Sequence, residues 1–159
     1  QAGTLYRAVA NNAPPTYHYD VVLPEITVYP GQTESMKLWG YDLSSDRVLP
    51  GDEVTITLHW QTTQELSIDY TSYVHLVNSN GQGVSQSDHQ PGDVFYPSSH
   101  WPAGETLRDH HTLFIPADAP AGLYRLRVGM YYQPEPGSFA SMGHGEEIGQ
   151  LTVSSEMVQ

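Results

Sequence analysis

The stretch Pro120-Ala-Gly-Leu-Tyr-Arg-Leu-Arg-Val-Gly-Met-Tyr131 decides how this chain is read. In extended backbone, Tyr124, Leu126, Val128 and Met130 fall on one side, and Arg125 and Arg127 on the other. A period of two carried by aromatic and branched residues marks a strand buried on one face. The lead-in, Pro116-Ala-Asp-Ala-Pro-Ala-Gly122, can neither continue a helix nor pair as a central strand. The chain must turn a corner there.

A corner followed at once by an inward tyrosine is similar to the tyrosine corner that opens strand F of immunoglobulin-like sandwiches. The segments upstream agree with that fold. Over Glu53 to Gln61, Val54, Ile56, Leu58 and Trp60 take one face while Thr55, Thr57, His59 and Gln61 take the other. Further strands are expected over Met36 to Leu43, Tyr70 to Asn78, Gly83 to Asp88, Leu107 to Ile115 and Ile148 to Ser154. Asn78-Ser-Asn-Gly81 supplies the Asn-Gly that a hairpin with positive φ favours. The expected architecture is an all-β, immunoglobulin-like Greek-key β-sandwich of two antiparallel sheets with seven to nine strands. Residues 34–159 form that sandwich. Residues 1–33 are expected to be an N-terminal arm or linker with one or two short strands, around Tyr17 to Leu23 and Glu25 to Tyr29.

Composition narrows the partners. Eighteen acidic against six basic residues give a net charge of −12, which nucleic-acid backbones and anionic membranes would repel. No apolar run approaches the length of a membrane span, so no direct membrane insertion by this segment is expected. The absence of cysteine excludes disulfides and thiolate metal sites.

From Trp39 to Tyr132 a set of motifs recurs in order: Gly40-Tyr-Asp-Leu, Leu49-Pro-Gly-Asp, Asp69-Tyr-Thr-Ser-Tyr-Val-His-Leu, Gln86-Ser-Asp-His-Gln-Pro, Trp101-Pro-Ala-Gly-Glu and Ile115-Pro-Ala-Asp-Ala-Pro-Ala-Gly-Leu-Tyr-Arg-Leu. Together they resemble the β-sandwich appended to multi-spanning membrane glycosyltransferase-like proteins of Chloroflexi-type bacteria. The resemblance covers about the last two thirds of the chain. It implies an extracytoplasmic or cell-surface accessory domain of a larger membrane-anchored protein, whose catalytic carboxylates lie elsewhere.

Chemistry within the domain is sparse. Arg108-Asp-His-His111 sits in a strand, where neighbours point to opposite faces, so His110 and His111 cannot share one metal. Parity turns Asp109 and His111 inward and His110 outward. There is no Gly-x-Ser-x-Gly elbow and no Gly-rich loop leading into a helix. Two carboxylates flanking one cleft, which a glycosidase needs, are not evident. No catalytic residue and no required cofactor are assigned. Asp88 and Asp93 offer a weak calcium site without an EF-hand pattern.

Sugar rings stack their apolar faces on aromatic side chains while polar groups bind the hydroxyls. Two places could supply such a surface. One is the loop carrying Phe95, Tyr96, His100 and Trp101. The other is an outer sheet face where Trp39 and Tyr41 would stand near His59 and His110. The sequence therefore points to a non-catalytic module binding glycans or glycoconjugates through exposed aromatics. The rival is a structural or protein–protein interaction domain.

Overall fold

The structure, a computed structural model, describes residues 13–91 and 96–155. Among these residues there is no α-helix; strands are joined by turns and one 3₁₀ turn at Ser98–His100. The strands are β1 (Tyr17–Val22), β2 (Ile26–Val28), β3 (Gln32–Glu34), β4 (Lys37–Leu43), β5 (Arg47–Val48) and β6 (Glu53–Gln61). They continue as β7 (Thr71–Val77), β8 (Gly83–His89), β9 (Thr106–Phe114), β10 (Gly122–Tyr132), β11 (Ala140–Ser141) and β12 (Glu146–Val153). One sheet has the order β1-β4-β6-β9. The other runs β5-β12-β10-β7-β8, with β11 on β10, and β2 pairs β3 in a separate hairpin. In the first sheet β6 pairs with β9, and in the second β10 pairs with β7 on one side and β12 on the other.

Among the described residues nine strands, β4 to β12, lie within residues 34–159, the number expected for the sandwich, and β1 to β3 precede them. One pairing departs from the antiparallel pattern. After β4 the chain crosses at residues 44–46 to the other sheet without reversing, so β5 lies parallel to β12. The Thr152 and Ser154 amides donate to the Asp46 and Val48 carbonyls at 2.9 Å each. Residues 17–22, placed by sequence in an arm, pair with β4 as the outer strand of the four-stranded sheet.

The inward faces follow the alternation read from the sequence. Val54, Ile56, Leu58 and Trp60 of β6 meet Tyr124, Leu126, Val128 and Met130 of β10 in one core, all of them buried. Each such aliphatic side chain contributes about 1.5–3 kcal/mol by leaving water. Tyr124 turns the corner as expected, its hydroxyl donating to the Pro120 carbonyl at 2.7 Å.

A second buried anchor ties the β2–β3 hairpin to the sandwich. The fully buried Glu34 carboxylate accepts from the Tyr70 hydroxyl (2.6 Å), the Ser67 amide (2.8 Å) and hydroxyl (2.7 Å), and Gln32 Nε2 (2.6 Å). Burial pushes this carboxyl up, but the hydrogen bonds from Tyr70, Ser67 and Gln32 outweigh it and hold it below the usual carboxylate range.

Two predictions follow from these bonds. Tyr124→Phe leaves the Pro120 carbonyl without its partner and should lower stability by about 1 kcal/mol, read as a shifted urea midpoint with unchanged slope. For Glu34, the depressed folded pKa means its stabilisation is present above the ordinary carboxylate pKa and is lost as pH falls through the folded value. Glu34→Gln should therefore lower stability at neutral pH and flatten the acid limb of the stability–pH curve. An acid limb as steep as the parent's would show that Glu34 does not titrate in this way.

Candidate functional site

Within the loop that the sequence favoured for ligand binding, Trp101 and Tyr96 belong to the core, 1% and 5% exposed, so neither offers a stacking face. The Trp101 indole N–H donates to the Tyr96 carbonyl at 2.8 Å, and the Tyr96 hydroxyl to Glu105 Oε2 at 2.9 Å. His100 is exposed, on the 3₁₀ turn. Phe95 and Asp93 lie outside the described residues.

The outer face of the four-stranded sheet keeps part of its expected set. Opposite β6, Leu38 pairs with Trp60 and Gly40 with His59, so Trp39 is an extra residue in a β-bulge. The slip puts Leu38 and Tyr41 on the same inward face, three positions apart. Tyr41 is therefore buried, and its hydroxyl reaches across the sandwich to the Ile148 carbonyl at 2.7 Å. Trp39 stays outside, edge-on to His59 at 6.1 Å and to His18 at 6.0 Å. His59 is held by Asp42 at 2.6 Å and His110 by the Thr57 hydroxyl at 2.8 Å. His59 itself is buried, which leaves a patch of interlocked polar groups without a cleft beside it.

The opposite sheet has the concavity. On β7 Tyr73 and His75 point outward, and the antiparallel register sets Asp88 and Gln86 of β8 directly beside them. On the other side, Gly129 and Arg127 of β10 lie opposite Tyr73 and His75. A Cβ at Gly129 would fall 2.5–2.9 Å from the outer atoms of the Tyr73 ring, so the ring lies across the strand because glycine leaves the space. Tyr131 follows two residues along β10 and donates its hydroxyl to Asp88 Oδ2 at 2.9 Å. Phe139, 63% exposed, stands edge-on to Tyr131 at 5.4 Å, and Tyr131 lies 5.9 Å from Tyr73.

These side chains, with Ser141 and His144, line a groove of about 460 Å³. Tyr73, Phe139, Ser141 and His144 continue it into a second hollow toward Pro24 and Glu25. Burial holds the His75 imidazole below its ordinary value against the pull of Asp88, and the Arg127 charge adds to the effect. A neutral imidazole presents one donor and one acceptor to a ligand hydroxyl. Burial and the bond to Asp88 push the Tyr131 phenol up to about 12. Both Arg125 and Arg127 pair with Glu147, at 3.3 and 3.4 Å. A larger cleft of about 810 Å³ opens beside the tyrosine corner, lined by Pro116, Pro120, Leu123 and the 78–80 turn. Asp118 is its one charged side chain, so it lacks the convergent polar groups of the groove.

The alternation in the sequence turns Arg127 outward, but Tyr73, His75 and Tyr131 were not among the expected site residues, and nothing in the pattern showed that the four share a hollow. The wall comes from Phe139 and His144, in a Gly/Pro-rich segment with no period to read.

A Ser–His–Asp set lies inside the sandwich, and its wiring is not that of a nucleophile. Ser72 and Asp109 both approach the same His111 nitrogen, Nε2, at 2.6 and 3.1 Å. A catalytic triad needs the acid on the other nitrogen, which here meets the Ser87 hydroxyl at 2.8 Å. Ser72, Asp109 and His111 are all buried, away from substrate.

Compared with known protein families and with curated proteins, the chain finds no match. Among solved structures it is similar to one described as the C-terminal domain of wzt. The likeness covers 90% of this chain and 83% of that one, with a TM-score of 0.58 and 11% identity. At that identity, what the two chains share is a β-sandwich fold.

Proposed function

We propose that this chain is a non-catalytic accessory module that binds a glycan or glycoconjugate in the groove over β7, β8 and β10. One observation carries the reading. Two accessible aromatic rings, Tyr131 and Phe139, stand 5.4 Å apart along a groove floored by the largely buried Tyr73 ring, and its walls carry Asp88, Gln86, His75 and Arg127. Aromatic faces accept the C–H faces of sugar rings, and the carboxylate, amide and imidazole bind the hydroxyls between them. The rings are already held, Tyr73 by its seat on Gly129 and Tyr131 by Asp88, so little ordering cost opposes binding.

The buried, miswired Ser72–Asp109–His111 set supports a role without catalysis. Likeness in fold to a domain described as C-terminal in its own protein supports an appended module. No described helix is long and apolar enough to cross a membrane. We place the module outside the cytoplasmic membrane, on a membrane-anchored parent, as the resemblance to the glycosyltransferase-associated sandwiches implies.

The test is binding of the tag-free domain to a glycan array, followed by titration of the best ligand. Losing one stacked ring removes about 0.5–1.5 kcal/mol, so Tyr131→Ala and Phe139→Ala should each weaken binding roughly three- to tenfold. Gly129→Ala should act in the same direction by pushing Tyr73 off its seat, and Trp39→Ala on the far sheet should leave affinity unchanged. A parent domain that retains no glycan would sink the reading and favour a docking role.

A further inference from the structure

The seam between β8 and β9 gathers ligating atoms that the groove does not use. Asp109 and His111 lie two apart on β9 and are buried on its inner face. His89 ends β8, one residue beyond Asp88 but on the opposite face. One ligand atom from each of His89, Asp109 and His111 lies within 4.8 Å of the others. His111 Nε2 is 3.1 Å from Asp109 Oδ2, and His89 Nδ1 is 3.7 Å from Asp109 Oδ1.

We propose that these three residues form a binding site for a divalent transition-metal ion, with Zn²⁺ the fitting occupant. Two imidazoles and one carboxylate are a donor set for zinc, which leaves a fourth position for water. Nitrogen donors favour zinc, nickel and copper over calcium and magnesium. The 3.1 Å between His111 Nε2 and Asp109 Oδ2 is a few tenths of an ångström short of the roughly 3.4 Å that two ligands of a tetrahedral zinc ion span, so a small outward shift of either side chain admits the ion.

The surroundings have the character of an outer ligand shell. The Trp60 indole N–H donates to Asp109 Oδ2 at 3.1 Å and the Ser72 hydroxyl at 2.5 Å, which orients the carboxylate. The Ser87 hydroxyl meets His111 Nδ1 and can accept its N–H when a metal displaces the proton that Nε2 shares with Ser72 and Asp109. The net charge of −12 raises the local concentration of cations.

His89 is the moving part. Its ring lies on His111 at 3.9 Å and 13°, so ligation requires it to turn off that stack. Its side chain is 40% exposed, which permits the turn. Its Nδ1 faces the Gln90 carbonyl at 2.9 Å and its Nε2 the His110 carbonyl at 2.8 Å. A neutral imidazole has one N–H, so in that form one nitrogen sets a lone pair against an oxygen. Turning toward a metal relieves that mismatch.

The experiment is titration of the tag-free protein with Zn²⁺ by calorimetry near neutral pH, with imidazole NMR resonances followed in parallel. One saturable site is expected, with the buried His111 resonances shifting, a raised melting temperature and release on acidification as the imidazoles take up protons. His89→Ala should weaken binding by on the order of tenfold or more and abolish the thermal shift. His89→Gln, which keeps a donor for the neighbouring carbonyls, should do the same while the metal-free fold melts as the parent does. No saturable binding, unmoved His111 resonances, or unchanged affinity in His89→Gln would overturn the site.

Discussion

The indole N–H of Trp60 sets the terms for much of this sandwich. A fully buried tryptophan near the end of β6 packs in the core, and its nitrogen needs an acceptor. Asp109 on the paired strand β9 supplies one at 3.1 Å. Burying a carboxylate costs far more than burying an indole unless donors surround it. Ser72 from β7 and His111 from β9 meet that need, and Ser87 and His89 from β8 close the cluster. One large apolar residue thus calls up a polar cluster that spans both sheets where no disulfide does.

The all-β class, the corner at Tyr124 and the inner faces of β6 and β10 were legible from turn residues and alternation, since a buried face imposes a period of two. Tyr41 was not, because the bulge at Trp39 adds one residue and reverses the parity beyond it. Trp101 was misplaced for a different reason. Proline-rich loops usually lie at the surface, and only the three-dimensional packing shows that Tyr96 and Trp101 turn inward. The groove joins residues from β7, β8 and β10 with a loop, and the metal-ligating set joins β8 with β9. Sequence shows which face each residue takes but not which strands stand side by side.

Strand β8 works on both of its faces. Gln86 and Asp88 look into the aromatic groove while Ser87 and His89 look into the seam. Its alternation is polar on both sides, so it lacks the apolar signature of a core strand. It holds position at the sheet edge through its ladder with β7 and through His89, whose Nε2 lies 2.8 Å from the His110 carbonyl of β9. A shift of His89 would therefore be felt by Asp88, one peptide away.

The short parallel pairing of β5 with β12 has a mechanical consequence. Tension on the two flanking ends of the domain would draw β5 and β12 in opposite directions along their shared axis. Strands that slide past one another must break their hydrogen bonds together, whereas β1, lying antiparallel on β4, can be peeled away one bond at a time. The crossover that gives β5 its direction therefore loads this pair in shear rather than in peeling.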